Sequence, residues 1–142
     1  MVKILCVIGL VCAAALSAQA QRKQFHYDTE KVALTGKVIA RTFFGPPGFG
    51  EDPKTDSRES QYILVLDMPI DVVGTPGENE TERGVKQITL VVLDFKAIPI
   101  RPWLRQRVTV EGTLFHAITG HHHTKVLITV SSIGTPKRGK SV

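Results

Sequence analysis

Alternation of apolar and polar residues dominates the last third of the chain. From Arg107 to Ile133, apolar residues occupy every second position on either side of a short polar segment. They are Val108, Val110, Leu114, Val126, Ile128 and Val130. A period of two is typical of strands with one buried face, so the pattern predicts a β-hairpin. Aligning the apolar positions pairs Leu114 with Val126 and His116 with Thr124, which leaves a three-residue loop at 119–121.

Three earlier stretches have strand character. The first runs from Val32 to Phe44, and Gly36 interrupts its inward face, as a glycine does where a strand bends between two halves of a sheet. The second runs from Ser60 to Met68 and is apolar at both parities, which predicts a strand covered on both faces or covered by a loop. Pro69 is expected to end it. The third runs from Val85 to Leu93.

The segments between these strands set the predicted fold. Residues 45–59 and 71–84 are rich in glycine, proline and charge, so we expect loops there. In residues 95–106, Pro102 suits the first turn of a short helix. A sandwich would need about seven strands. Five strands, with a helical connector between the third and fourth, predict an all-β, small five-stranded OB-like Greek-key barrel over residues 32–133.

The first 20 residues have the three parts of a secretory signal. Lys3 precedes an apolar run from Ile4 to Leu16, and small residues follow it. This pattern predicts cleavage near Ala20-Gln21 and a periplasmic or secreted product, with a lipid anchor on Cys12 as the alternative. Both cysteines lie in this segment, so the mature chain is expected to lack thiol chemistry. We expect no membrane span in the mature form, a flexible segment at 21–31 and a basic disordered tail at 134–142.

The positive charge of the chain is concentrated at its ends. The whole sequence carries a formal net charge of +5, whereas residues 26–132 contain 12 Lys and Arg against 13 Asp and Glu. Nucleic-acid binding needs clustered positive charge on the folded part. The balance therefore makes nucleic acid an unlikely partner.

Histidines at the closed end of the hairpin are candidate metal ligands. In the predicted register His116 and His122 share a face, His121 lies on the turn, and His123 points to the opposite face. His116, His121 and His122 could hold Zn²⁺ or Cu²⁺ with solvent completing the coordination. The alternatives are a polar turn whose histidines bond to backbone and water, and acid-base catalysis.

Aromatic residues supply a second set of candidates. Phe44 and Phe49 flank two prolines in the first loop, where they either contact a ligand or partner, or fold onto the end of the barrel. Trp103 is either a stacking platform for a ligand or part of the core.

Three segments also carry a family resemblance. They are LTGKVIARTFFGPPGFG (Leu34 to Gly50), SQYILVLDMPI (Ser60 to Ile70) and RVTVEGTLFHAITGHHHTKVLI (Arg107 to Ile128). In these segments and their order the chain resembles the bacterial periplasmic proteins grouped as domain of unknown function 4431. The most specific part is Gly112 to Thr124. The resemblance implies an exported domain of OB-like build, and it transfers no catalytic role.

The sequence contains no recognisable catalytic motif. It has no Gly-x-Ser-x-Gly turn, no phosphate-binding loop and no HExxH. We therefore expect a non-enzymatic periplasmic binding module for a protein, a peptide or a small ligand. The alternative is a metal-binding protein that uses the histidine cluster, and the third possibility is a hydrolase with a histidine base.

Overall fold

A computed structural model describes residues 21–137, so the predicted signal sequence and residues 138–142 of the predicted tail lie outside the described residues. The strands are β1 (Gln24–His26), β2 (Lys31–Phe44), β3 (Arg58–Val73), β4 (Glu82–Val91), β5 (Arg107–His116) and β6 (Val126–Gly134). One 3₁₀ turn, Arg101–Trp103, joins β4 to β5, with proline in its first positions. The all-β prediction and the short helical connector are confirmed.

The six strands form one sheet that returns on itself. Their order is β1-β3-β2-β5-β6-β4, and β4 also pairs with β3. Strands β2 to β6 therefore form a closed ring, in which β4 and β6 are parallel and the other neighbours are antiparallel. The short β1 adds to β3 in parallel, within a segment where the sequence predicted no regular element.

Gly36 marks the point where β2 changes partner. It pairs with Leu66 of β3 and with Val108 of β5. A Cβ atom at this position would lie 2.2 Å from the carbonyl oxygen of Val65. Only glycine lets the two backbones approach this closely, which agrees with the predicted role of Gly36 in a strand shared by two halves of the sheet.

The core fills the inside of the ring. The alternating residues predicted to face inward are buried: Val108, Val110, Leu114, Val126, Ile128 and Val130. From the connector, Ile100 is buried, and Trp103 and Leu104 pack against the same cluster. The period of two was therefore a correct guide to the inward faces.

A second buried row lies on the outer face of the sheet. Ile63, Thr89 and Leu127 are neighbours across β3, β4 and β6, and each is buried although it points away from the core. The loop after β5 lies here, since the Thr124 hydroxyl is 2.8 Å from that of Thr89 and accepts its backbone N–H. Of the two alternatives that the apolar sequence left open, the structure agrees with an outer face that meets a loop.

The predicted end of the second strand was wrong. β3 passes through Pro69 and continues to Val73. Its pairing with β2 ends at Leu66, and its pairing with β4 shifts register between Val65 and Ile70. Pro69 therefore lies where the ladder requires no backbone N–H, so proline does not interrupt the strand.

The predicted hairpin register was wrong by two residues. Leu114 pairs with Ile128, and His116 pairs with Val126. The N–H of Ala117 donates to the carbonyl of Lys125, so the loop is much longer than three residues. A shift of two leaves every side chain on the same face, which is why alternation alone could not reveal it.

Candidate functional site

Two loops meet at one surface of the ring. Residues 45–57 join β2 to β3, and residues 117–125 join β5 to β6. Their contact, with the adjoining ends of β2 and β3, is called the two-loop surface below. It contains four of the predicted site residues, together with Glu59 and His123; the four are Phe44, Phe49, His121 and His122.

Asp56 organises the first loop. Its buried carboxylate accepts backbone N–H groups from Gly48 and Gly50 at 2.7 Å and from Asp52 at 3.3 Å. Burial alone raises the pKa of Asp56, but the hydrogen bonds from Gly50, Gly48 and Asp52 outweigh it and lower the pKa below its ordinary value. The loop is thus folded around an ionised carboxylate.

Phe49 is presented by this loop to the other one. Its ring meets that of His121 edge to face, with the centroids 5.4 Å apart. It also lies over Gly120, where a Cβ atom would be 2.9 Å from the ring. The backbone of Phe49 is left-handed (φ 50°), which is unusual for a bulky residue, and its side chain is 42% exposed. Phe49 therefore has one face against the hairpin loop and keeps exposed aromatic surface.

Glu59, near the start of β3, binds loop 117–125 through both of its carboxylate oxygens. Its Oε1 lies 2.6 Å from Nδ1 of His121, and its Oε2 lies 2.9 Å from Nε2 of His123. An ionised carboxylate can only accept, so each imidazole donates its N–H. The hydrogen bond from His123 is the largest cause that lowers the pKa of Glu59. Burial raises this pKa, but the bond and charge of His121 add to the lowering, so the net shift is downward.

Stacking fixes the rest of this surface. The ring of Phe43 stacks on that of His123, with the centroids 4.3 Å apart and the planes 5° from parallel. The guanidinium of Arg58 lies 3.7 Å from the ring centroid of Phe44 and covers that face. Phe44 is therefore partly buried beneath Arg58, and Phe49 is the more exposed aromatic.

His122 bonds to its own loop. Its Nδ1 accepts the N–H of Ile118, so the ring proton is on Nε2. Burial, followed by the charges of His121 and His123, lowers the pKa of His122 below 6.5. This ring is therefore neutral at pH 7, and neither nitrogen offers a free lone pair.

His116 lies in a different environment. Its Nε2 is 3.5 Å from Glu82, and its ring meets Tyr27 edge to face at 5.5 Å. Its Nδ1 is 2.9 Å from the carbonyl oxygen of Ala117. The structure thus gives the predicted ligands separate partners, because the longer loop carries His121 and His122 away from the end of β5. Within residues 21–137, no group of three or more His, Cys, Asp or Glu is placed to hold a metal ion.

Trp103 is not part of the two-loop surface. It is the last residue of the 3₁₀ turn and packs against the core cluster, as the core interpretation of its sequence context expected.

The sequence interpretation missed Glu59 as a site residue. Glu59 lies 62 and 64 positions from its two histidine partners. It lies at the boundary between a charged loop and a strand, where exposed carboxyl groups are common. No local pattern could have distinguished it.

The comparisons with known proteins identify a family for one part of the chain. Residues 91–134, from the end of β4 to the end of β6, match the family described as Domain of unknown function (DUF4431). The predicted resemblance is thereby confirmed over this stretch, which includes the whole hairpin and its histidines. Neither the curated proteins nor the solved structures gave a match. Among the described residues, no helix has the length and apolar character needed to cross a membrane.

Proposed function

We propose that the chain is an exported, periplasmic and non-enzymatic binding module that holds a protein, a peptide or a small ligand at the two-loop surface. The observation that carries the proposal is Phe49, an aromatic ring that keeps substantial exposed surface while both loops fix its position. Exposed aromatic rings that are held in place make large apolar contacts at little cost in conformational entropy.

The position of the surface in the ring supports this function. We interpret the ring as an OB-like barrel, with β2 to β6 as its five strands. Ligands of OB-folds commonly contact the loop between strands 1 and 2 and the loop between strands 4 and 5. In this chain those loops are residues 45–57 and 117–125, the two that meet at Phe49 and His121.

The local structure supports it as well. Phe49 occupies an unfavourable backbone conformation, and the hydrogen bonds of Asp56 to the glycines on either side of it hold this conformation. Strain of this kind persists where the surroundings enforce it, and it clusters at binding sites. Beside the Phe49 ring, His121 bonds to Glu59 through Nδ1, so its Nε2 is not used in that bond. An apolar surface and a hydrogen-bonding nitrogen therefore lie side by side.

Co-purification tests the proposal. The untagged protein would be isolated from the periplasm of cells that express it from Met1, and bound proteins and small molecules would be quantified by mass spectrometry. We expect Phe49→Ala to release the bound partner, because truncation of a central aromatic residue commonly costs about 2 kcal/mol or more in binding.

Phe95→Ala is the matched control. Phe95 is also exposed (57%), but it lies in the connector between β4 and β5. If the partner stayed bound to the Phe49 variant and was lost from the Phe95 variant, the binding site would lie outside the two-loop surface.

A further inference from the structure

A cleft of about 360 Å³ lies near the first residues of β2, whereas the two-loop surface adjoins the last residues of that strand. Its walls are the segment that leads into β1, the outer side of β2 near Ala33 and Thr35, and residues 66–70 of β3. Small-molecule sites usually enclose about 300–1,000 Å³ and combine apolar walls with a few polar groups. The cleft has that size and that composition.

A break in the sheet creates this cleft. β2 pairs with β3 only from Gly36 onward, and β1 pairs with β3 only from Asp71. Between these ladders, residues 67–69 pair with no strand among the described residues. The cleft therefore follows from the topology and does not depend on the position of one mobile side chain.

Asp71 holds the N-terminal wall in place. Its N–H donates to the carbonyl of Lys23, and its carboxylate accepts from Arg22 Nε at 2.8 Å and from the N–H of Gly84 at 2.7 Å. The bond from Gly84, followed by that from Arg22, lowers the pKa of Asp71, so the carboxylate is ionised at neutral pH. A wall fixed in this way is preorganised for a ligand.

Apolar residues from three strands line the cleft. Leu66 and Ile70 come from β3, Leu34 comes from β2, and Phe25 closes the side towards β1. Met68 also lines the cleft and is 66% exposed. A flexible, exposed methionine beside apolar walls can adapt to ligands of different shape.

The charges that line the cleft do not cancel. Asp67 is paired with Arg107 at 2.7 Å, and Arg22 is paired with Asp71. Lys23 forms no ion pair with another residue of 21–137. The ammonium group of Lys23 thus has no counter-charge among these residues, and it lies next to an apolar surface.

We propose that this cleft is a second binding site, for a small amphiphile that carries one anionic group on an apolar body. The anionic group pairs with Lys23, and the apolar body lies along Phe25, Leu66 and Met68. The site is independent of the proposed function, because it shares no residue with the two-loop surface.

A pair of dyes with the same rings tests the proposal. Anilinonaphthalene sulfonate carries an anionic group that phenylnaphthylamine lacks, and both fluoresce in apolar sites. With the mature chain from Gln21 to Val142, we expect the sulfonate to bind more tightly than the neutral dye. Lys23→Glu should weaken sulfonate binding about fivefold, the upper value for an ion pair at an exposed residue. Binding of the neutral dye should stay within about twofold, because it makes no charged bond there. Decanoate below its micelle concentration should displace both dyes.

Two further variants locate the site. Ala33→Phe fills the cleft from an exposed position and should abolish binding of both dyes. Lys37→Glu makes the same charge reversal as Lys23→Glu on an exposed residue of β2 that does not line the cleft, and it should change neither affinity. Thermal melts would verify that each variant is folded.

Three results would overturn the proposal. The first is an equal loss of sulfonate affinity in Lys23→Glu and Lys37→Glu, and the second is unchanged dye binding in Ala33→Phe. The third is binding of the protein to anionic phospholipid vesicles that decanoate does not displace. Since Phe49→Ala leaves the cleft intact, its dye affinities should equal those of the wild type. Failure at one surface would therefore be distinguishable from failure at the other.

Discussion

Glu59 shows how one carboxylate can connect distant parts of a chain. Its two oxygens accept hydrogen bonds from His121 and His123, and its side chain is 22% exposed. These bonds stabilise the ionised form, so the pKa of Glu59 is lower in the folded state than in the unfolded chain. Linkage then requires that ionised Glu59 stabilises the fold above the unfolded-state pKa, near 4.5, and that this stabilisation is lost as the pH falls through the lower folded-state pKa.

Glu59→Gln should therefore lower the melting temperature at pH 7 and reduce its dependence on pH below 4.5. Melting temperatures of wild type and variant, measured from pH 7 down to pH 3, give the readout. Glu51→Gln removes an exposed carboxyl from the neighbouring loop and is the control. If the two substitutions had the same effect at every pH, the bonds to the histidines would contribute nothing to stability.

His122 accepts a hydrogen bond through its ring, whereas His121 and His123 donate to Glu59. Burial and the charges of His121 and His123 disfavour its protonated form, and its Nδ1 accepts the N–H of Ile118. We expect an imidazole titration midpoint below 6.5, followed by NMR through the ring C–H signals. Protonation of this ring also opposes folding, so it removes stability as the pH falls below 6.5. A midpoint at or above that value would contradict the contact with Ile118.

Among the elements, the hairpin shows what alternation can and cannot predict. The inward residues of β5 and β6 follow from the period of two, as do the strands themselves and the special position of Gly36. The register of β5 against β6 does not, because a shift of two residues preserves every face. The long loop 117–125 is held by Thr89 and Glu59, and sequence periodicity carries no information about such distant partners.

Leu114→Ala tests the inward face of the hairpin. Leu114 is fully buried opposite Ile128, so its truncation should lower the free energy of unfolding by about 2–5 kcal/mol. Thr113→Ala, one position along on the outer face, should change it by no more than about 0.5 kcal/mol. Chemical denaturation at 25 °C measures both, and equal losses would refute the assignment of the faces.

The candidate site was predictable only in part. Phe49 stood out because an aromatic residue in a loop of glycine and proline is unusual, and the histidines stood out as a cluster. Their grouping did not follow from the sequence, because Glu59 pairs with His121 and His123 whereas Glu82 faces His116. Each of these contacts joins residues of different elements, so it depends on the closed ring and not on spacing along the chain.

At the scale of the whole molecule, the main prediction concerns processing. The first 20 residues have the pattern of a secretory signal, so export should remove them and leave an N-terminus at or within two residues of Gln21. N-terminal sequencing or intact-mass measurement of exported protein would show the cut. Mature protein that still began at Met1 would be evidence against both export and a periplasmic function.

The parallel pairing of β4 with β6 has a consequence for the timing of folding. Among residues 21–137, β6 is the last strand, and it is the strand that bridges β5 and β4. A chain made from its amino end therefore cannot complete its hydrophobic core until residues 126–134 have emerged. Topologies that depend on such distant pairings fold slowly, over about milliseconds to seconds. Until then β4 and β5 each have an open edge, so the protein should depend more on chaperones before it folds than a helical chain of the same length.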